Sequence, residues 1–473
     1  MAPPDVGYRF KEVEHYLRRI ERIFKRLMAG KYENASSLWT IQLDLLALQR
    51  EIQAEISSVK ANFDGRDRKH ERLRLLRHAR ASARRLGDTF AWLVLGADRQ
   101  LIFPLAENSH VPVSTEGHGS RGVDIVAAHL AHSGWGFPLL HDLTDILRIG
   151  DVTFVKPKDG KIVTKTIEVK TRMVAQKAAN DGWIEYKYDV TAVMPGPLES
   201  SSLVPPAAAS IGPVSDGSTK PSGVPRPLDE RASRQIRRMS RAFARQSAKG
   251  GEVFEVDGEK MLAVNSESNA PSHWKVLRRV IRNSRMAGYA SESVENTFMY
   301  GAFYDGDGLT SEIATAAATL PKDLVNSGIL IPDGGSRNSI LVNSMPPPDS
   351  KGPQLFLPYF LYAIPRRAVA DLLYGRLAIF ILTNPGRIVM AIEDAGFEVS
   401  VPSGKRNDLT ASSLVVSYRF VGGDGIGRVA EIHNAASSAL EMIYEFKGSR
   451  YLVDTIDAIG KAAVAQITKM SDG

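Results

Sequence analysis

One segment constrains the fold of this chain more than any other: GDVTFVKPKDGKIVTKTIEVKT, residues 150–171. Its dipeptide Asp159-Gly160 predicts a two-residue type I′ turn, because that turn needs a positive φ angle at both positions. The residues on either side then form two antiparallel strands in a fixed register. The alternative is a three-residue loop with Pro157 near the turn, which would shift the pairing by one residue.

The two-residue loop would place Asp151 directly opposite Glu168. Facing side chains on one side of a sheet have Cβ atoms about 4.5–5.5 Å apart, so the two carboxylates would be neighbours. Lys170 would lie on the same face, whereas Ile167 and Val169 would point the other way, into a core. We therefore predict two carboxylates and an amine on one face at the end of the hairpin.

Two facing carboxylates repel each other unless a positive charge lies close to both. Lys170 supplies one such charge, and a divalent cation bridging Asp151 and Glu168 would supply two more. Hard oxygen ligands suit Mg²⁺ or Mn²⁺. The plain alternative is a solvated sheet edge, at which an exposed ion pair contributes little.

The spacing of Glu168 and Lys170 is common in a charged chain and is weak evidence by itself. The same acid-x-Lys spacing occurs at residues 67–69, 159–161, 185–187, 349–351 and 445–447. Residues 168–170 differ in context, because they follow a tight turn and have an acid in register on the neighbouring strand. The triplet at 185–187, within GWIEYKYDV, is the strongest rival, but it lacks so clear a hairpin partner.

A second feature is the arginine segment, residues 228–248, which reads as an amphipathic helix. Five arginines form a single stripe on it: Arg231, Arg234, Arg238, Arg241 and Arg245. A second stripe of Ile236, Met239 and Phe243 would pack on a sheet. Because guanidinium groups match phosphate geometry and few acids accompany them, we predict that this stripe contacts phosphates.

Composition narrows the classes of protein further. The absence of cysteine from 473 residues excludes thiolate zinc sites, disulfides and a cysteine nucleophile. The formal net charge of +7 favours a polyanionic partner. The apolar runs are too short to span a bilayer, and the N-terminus lacks the apolar core of a signal peptide. We therefore expect a cytoplasmic protein that does not bind membranes.

Other motifs are less specific. The basic run from Arg66 to Arg85 indicates either a solvated helix face or a nucleic-acid contact. His129, His132 and His141 lie close in sequence, but no matching set of further ligands accompanies them, which favours structural histidines over a zinc site. The glycine-rich residues 422–428 fit neither a P-loop nor a dinucleotide fingerprint.

Asp151 followed by Glu168-Val169-Lys170 at the end of the next strand resembles the PD-(D/E)XK nuclease superfamily. The segments RRLGDTFAWLVL and PLLHDLTDILRIGDVTF also resemble uncharacterised bacterial proteins of nuclease-like type. This resemblance implies an α/β fold with a restriction-endonuclease-like core, in the order αβββαβ. It covers about residues 84–248, with the arginine segment as the second core helix.

The resemblance also implies roles for individual residues. Asp151 and Glu168 would ligate Mg²⁺ or Mn²⁺, the Val169 carbonyl would be a third ligand, and Lys170 would orient or help deprotonate the attacking water. The preceding helix usually adds an acid, for which Asp88 is our candidate and Asp124 the alternative. The implied activity is an endonuclease that hydrolyses nucleic acid, DNA rather than RNA, with phage defence as the favoured pathway.

On this basis we predict three domains. They are a helical N-terminal region over residues 1–80, a nuclease-like core over 81–305 with a disordered insertion at 195–227, and a C-terminal α/β module over 306–473. The N-terminal helices would also be the place for a homo-oligomer contact or a partner protein. Because some members of the superfamily have lost activity, the alternative function is a catalytically silent nucleic-acid-binding or assembly protein.

Overall fold

The computed structural model describes the chain in segments. The described residues are 12–29, 35–62, 66–106, 118–132, 136–158, 161–178, 184–193, 238–239, 241–242, 245–246, 252–256, 259–262, 268, 270–306, 327–332, 340–345, 356–400, 414–421, 427–432 and 435–471. The chain divides into two compact units. We call them the hairpin unit, mainly residues 18–247, and the C-terminal unit, mainly residues 248–473.

Helices dominate the first part of the hairpin unit, as the 3.6-residue spacing of apolar side chains predicts. Their bounds are α1 (Glu14–Met28), α2 (Ala35–Asn62), α3 (Arg66–Val94), α4 (Arg99–Ile102) and α5 (His118–His132). The buried stripe of α2 consists of Ile41, Leu45, Leu48, Ile52, Ile56 and Val59. It packs against α3, which follows almost at once, so the two long helices form an antiparallel pair.

The hairpin unit also holds a four-stranded antiparallel sheet in the order β1-β2-β3-β4. Its strands are β1 (Phe137–Leu140), β2 (Val152–Lys158), β3 (Lys161–Ala178) and β4 (Ile184–Val193). Lys158 pairs with Lys161, which leaves two residues between β2 and β3. This register confirms the prediction made from Asp159-Gly160, although the two turn residues themselves lie outside the described residues.

The buried side chain of Gln42, on α2, hydrogen-bonds to the backbone of the edge strand β1. The Gln42 amide donates to the carbonyl of Pro138 at 2.8 Å and accepts from the Leu140 N–H at 3.0 Å. It thereby satisfies main-chain groups that an edge strand would otherwise leave without a strand partner. Residues 18–80 belong to the same unit as the hairpin, so a separate helical domain over residues 1–80 does not describe this packing.

The C-terminal unit is a mixed α/β structure. Its described helices are α6 (Trp274–Ala287), α7 (Arg366–Leu373), α8 (Pro385–Asp394), α9 (Ala435–Tyr444) and α10 (Ser449–Ser471). Its strands are β5 (Val253–Val256), β6 (Glu259–Leu262), β7 (Tyr289–Val294), β8 (Phe298–Tyr304), β9 (Leu341–Met345), β10 (Leu377–Thr383), β11 (Glu398–Ser400), β12 (Val415–Val421) and β13 (Gly427–Ile432).

The main sheet of the C-terminal unit has the order β7-β8-β10-β9, beside a sheet of β11-β12-β13 and the hairpin β5-β6. A buried cluster lies on the main sheet: Met299, Phe303, Ile329, Phe380 and Leu382. Phe298 of β8 pairs with Thr383 of β10. A boundary at 305/306 would therefore separate two paired strands, and the structure places the division near residue 248 instead.

The predicted αβββαβ order is only partly matched. β1, β2 and β3 follow one another in one sheet, but the fourth strand, β4, precedes the arginine segment and is antiparallel to β3. The strand that follows the arginine segment, β5, pairs with β6 and not with this sheet. The structure thus establishes a mixed α/β protein with antiparallel sheets. None of the described helices is long and apolar enough to cross a membrane.

Candidate functional site

The carboxylate of Asp151 lies against the backbone at the end of the hairpin. The β2–β3 ladder ends at the pair Val152 and Ile167. Beyond it, the Asp151 N–H donates to the Ile167 carbonyl at 2.9 Å, and Asp151 Oδ2 accepts from the Val169 N–H at 2.6 Å. The side chain thus takes the place that a further β2 residue would occupy. The prediction that Asp151 faces Glu168 across a regular pair is corrected, since its backbone bond goes to Ile167.

Glu168 directly precedes the amide from which Asp151 accepts. Its side chain is 9 % exposed, although it is a charged residue. Its backbone pairs with Val193 of β4. Both main-chain groups of an antiparallel strand residue point to the same neighbouring strand. The Val169 carbonyl is therefore directed, like its N–H, towards Asp151 at the end of β2.

Lys170 continues β3, and its backbone pairs with Thr191 of β4. Its side chain lies outside the described part of the structure, so its predicted place beside the two carboxylates stays a prediction. Ile167 and Val169 are 5 % and 8 % exposed, which confirms that they point into a core.

Gly150 lets the chain turn tightly just before Asp151. Gly150 has a φ angle of +75°, and a Cβ atom there would lie 2.4 Å from Thr166 Cγ2. The left-handed conformation and this close approach both favour glycine. The chain can therefore turn tightly against β3 just before the carboxylate.

His141 completes this end of the sheet from β1, and sequence reasoning did not connect it with Asp151. Its backbone N–H donates to the Asp151 carbonyl at 3.0 Å. Its ring nitrogens lie 3.1 Å from the Gly150 carbonyl and 2.7 Å from Thr153 Oγ1, which in turn lies 3.0 Å from Thr166 Oγ1. Because a carbonyl only accepts, Nδ1 carries the proton and Nε2 accepts from Thr153.

Burial lowers the pKa of His141 to about 4, so its imidazole is neutral at physiological pH. With both ring nitrogens hydrogen-bonded, this histidine is a structural one, as the sequence indicated. The only sequence signal for its position is that it directly follows the apolar β1 strand, FPLL.

Asp88 of α3 caps a turn with its buried carboxyl group. It is 3 % exposed, and its Oδ1 accepts from the N–H groups of Asp145 at 2.7 Å and Ile146 at 3.0 Å. Burial, reinforced by the Asp145 carboxylate, raises the pKa of Asp88 to about 7, against the two amides and Arg84, which lower it. These contacts give Asp88 a structural function, and they lend no support to its predicted role as a metal ligand.

Asp124, the alternative acid, lies on α5 and is partly exposed. One of its carboxylate oxygens is 2.8 Å from Arg50 Nη2 on α2. Among the described residues, no three His, Asp or Glu side chains converge as a metal site would require. An ion at Asp151 and Glu168 would therefore have two carboxylates, with the Val169 carbonyl as the third protein ligand that the geometry offers.

The arginine segment packs on the hairpin. Its described residues 238–239, 241–242 and 245–246 are helical, with Met239 and Ala242 each 1 % exposed. Gln246 donates to the Leu101 carbonyl at 2.7 Å and accepts from Thr164 Oγ1 at 3.3 Å. A Cβ atom at Gly150 would lie 3.5 Å from Met239 Sδ. The segment therefore covers the face of β3 that carries Thr164, Thr166 and Glu168.

The described arginines of this segment differ in exposure, and the Nε atoms of Arg241 and Arg245 are buried. Arg238 is exposed, and Arg241 and Arg245 are half-buried. Arg231 and Arg234 lie outside the described residues. The three described arginines thus lie on the helical segment that packs over β3, beside the candidate site.

The basic run on α3 is largely engaged with the protein itself. Arg72 pairs with Glu55 of α2, Arg80 donates to Gln53 at 2.9 Å, and Arg84 pairs with Asp145. Arg85 is buried. Of the two interpretations offered by the sequence, these contacts favour a structural helix face over a nucleic-acid contact.

Comparisons of the chain with protein-family models, with curated proteins and with solved structures found no match. The functional assignment therefore depends on the geometry and chemistry of the site itself.

Proposed function

We propose that this protein is a metal-dependent nuclease that hydrolyses phosphodiester bonds of nucleic acid, with DNA as the favoured substrate. The observation that carries the proposal is the close approach of Asp151 to the 168–169 peptide. It brings the Asp151 carboxylate to the peptide that joins Glu168 and Val169, at one end of a hairpin and on the sheet that the arginine segment covers. Hard oxygen donors of this kind suit Mg²⁺ or Mn²⁺.

The chemistry matches this set of groups. A divalent ion held by Asp151 and Glu168 would supply Lewis acidity and lower the pKa of a bound water. Lys170, the next residue but one after Glu168, has the right charge to orient that water and to offset negative charge developing on the phosphate. Arg238, Arg241 and Arg245 would hold backbone phosphates near the reacting one.

The contact between Asp151 and the Val169 N–H determines how the proposal has to be tested. Replacing Asp151 by alanine would remove a backbone partner as well as a ligand, so lost activity would be ambiguous. Asparagine keeps an oxygen that accepts from the Val169 N–H but removes the negative charge. Asp151→Asn should therefore fold as the wild type does and lose metal-dependent cleavage.

The assay measures cleavage of supercoiled plasmid, linear duplex DNA, single-stranded DNA and RNA with Mg²⁺, Mn²⁺ or EDTA. The variants are Asp151→Asn, Glu168→Gln and Lys170→Ala, with Lys165→Ala as the matched control, since Lys165 is an exposed lysine of the same strand. We expect cutting that needs the metal, disappears in the three site variants and persists in the control. Undiminished cutting by Asp151→Asn and Lys170→Ala would refute the assignment.

The second candidate is a catalytically silent nucleic-acid-binding or assembly protein. The hydrogen bond from Val169 favours it, because this bond gives Asp151 a structural function that requires no metal. This candidate predicts salt-sensitive binding of nucleic acid in EDTA without turnover in Mg²⁺ or Mn²⁺. Turnover by the wild type that is lost in Glu168→Gln would exclude it.

A further inference from the structure

A second basic surface lies in the C-terminal unit, on helix α6. Leu277, Val280, Ile281 and Ser284 form the buried side of this helix. The opposite side carries four exposed cations, which we call the α6 basic face: Lys275, Arg278, Arg279 and Arg282. Together they line a surface depression of about 240 Å³.

Little negative charge is available to neutralise this face. Arg279 pairs with Glu292 of β7, and its Nε lies 2.7 Å from Glu292 Oε2. Arg278 Nε donates to the Trp274 carbonyl at 3.3 Å. Four cations thus share one acid among the described residues, which makes the α6 basic face a strongly positive surface.

The spacing of the cations follows the helix axis. Lys275, Arg278 and Arg282 lie at positions i, i+3 and i+7, so they form one row. At 1.5 Å per residue the row spans about 10 Å. A row of this length lets the three long cationic side chains reach separate phosphates of a nucleic-acid backbone.

The chemistry of the depression discriminates between polyanions. Single-stranded nucleic acids are usually held by aromatic side chains on which their bases stack. The described lining contains only cations, and the nearby Trp274 packs instead against Tyr362 and Phe446. The apolar side of α6 is buried in its own unit, so it is not available to enter a bilayer, as an interfacial helix would require.

We propose that the α6 basic face binds the phosphate backbone of duplex DNA, without regard to base sequence. The inference rests on the proposed function in taking nucleic acid as the partner. It goes beyond that function in assigning a binding surface to the C-terminal unit, which carries none of the predicted catalytic residues.

The test is equilibrium binding of a fluorescent DNA duplex to the full-length chain in EDTA, over a salt series of about 50 to 200 mM. The variant is Lys275→Gln/Arg278→Gln/Arg282→Gln, which leaves the paired Arg279 in place. The matched control is Arg366→Gln/Arg367→Gln/Lys461→Gln, which removes three exposed cations from helices α7 and α10 of the same unit.

Each phosphate contact contributes about one to the slope of log affinity against log salt. We therefore expect the α6 variant to lower the magnitude of this slope by about three and to weaken binding equally for unrelated sequences. The control should change the slope by less than one. Equal slopes in the α6 variant and the control would overturn the inference, as would a wild type that does not bind duplex DNA.

Parallel titrations identify other partners. If the α6 variant loses binding only to single-stranded DNA, to RNA or to vesicles rich in phosphatidylserine, duplex DNA is not the ligand of this face and the inference is overturned. Cleavage is measured separately with Mg²⁺. Metal-dependent cleavage with unchanged duplex binding by the α6 variant would overturn this inference alone, whereas lost binding without any cleavage by the wild type would overturn only the nuclease activity.

Discussion

Replacing Asp88 by asparagine should remove a pH-dependent loss of stability from the hairpin unit. In the folded protein the Asp88 carboxyl is buried, and its pKa is raised from 3.8 to about 7. The unfolded chain ionises this group near pH 4, whereas the folded chain keeps it protonated up to about pH 7. The folded state therefore binds more protons over this range, and stability falls as the pH rises through it.

The magnitude follows from linkage. Each pH unit between the two pKa values changes the free energy of unfolding by about 1.36 kcal/mol, so the full effect is about 4 kcal/mol. Between pH 5 and pH 8 the wild type should lose about 3 kcal/mol through Asp88. Asparagine does not ionise, and its oxygen can still accept from the Asp145 and Ile146 N–H groups, so Asp88→Asn should lack this part of the pH dependence.

The assay is urea unfolding at pH 5 and pH 8, followed by tryptophan fluorescence, to which Trp92, buried in α3, contributes. At each pH we take the difference in the free energy of unfolding between variant and wild type, and we compare this difference at pH 5 with that at pH 8. A constant cost of burying the asparagine amide cancels in this comparison. Asp98→Asn is the control, since Asp98 is an exposed cap that accepts from the Gln100 N–H at 2.8 Å. A stability difference between wild type and Asp88→Asn that is the same at both pH values would refute the reasoning.

Two further predictions concern the same part of the unit. Gly87→Ala should destabilise the protein by about 1–3 kcal/mol, because the added Cβ would lie 1.8 Å from the Leu143 carbonyl oxygen. The control in the same urea assay is Gly306→Ala, since a Cβ at Gly306 would have no atom within 4 Å. Equal midpoint shifts in the two variants would contradict the close packing at Gly87. The pKa of His141 is lowered from 6.5 to about 4, so its contribution to stability is complete above pH 6.5 and is lost as the pH falls towards 4. Relative to the wild type, His141→Gln should therefore gain about 2 kcal/mol of stability between pH 7 and pH 5, because the contribution of Asp88 is common to both proteins. A stability difference that is the same at both pH values would show that the imidazole is not buried in its neutral form.

Local patterns in the sequence predicted the hairpin and the long helices. The Asp159-Gly160 dipeptide was sufficient to predict the register of β2 and β3, because a two-residue turn fixes which residues pair. The periodic apolar residues of α2 and α3 predicted helices, since a stripe repeating every 3.6 residues can be buried on one side. The described part of the arginine segment is likewise helical.

The roles of the acids were not predictable in the same way. Nothing near Asp88 in the sequence shows that its carboxylate accepts from Asp145 and Ile146, which lie 57 and 58 residues further on. The side chain of Asp151 was assigned to the face of the hairpin, but it bonds to Val169 at the end of the ladder, because β2 begins only at the next residue, Val152. The place of β4 beside β3, ahead of the arginine segment, also depends on long-range pairing.

Elements whose physical cause is local could be predicted from the residues alone: a turn that needs positive φ angles, helices with one apolar stripe, and a basic stripe on the arginine segment. Which charged groups are buried, and what satisfies them, depends on how distant segments pack together. The pKa of Asp88, the neutral state of His141 and the contact of Asp151 all result from removal of water and from backbone groups of distant segments. Such effects arise only when these segments pack together, and no local pattern of residues encodes them.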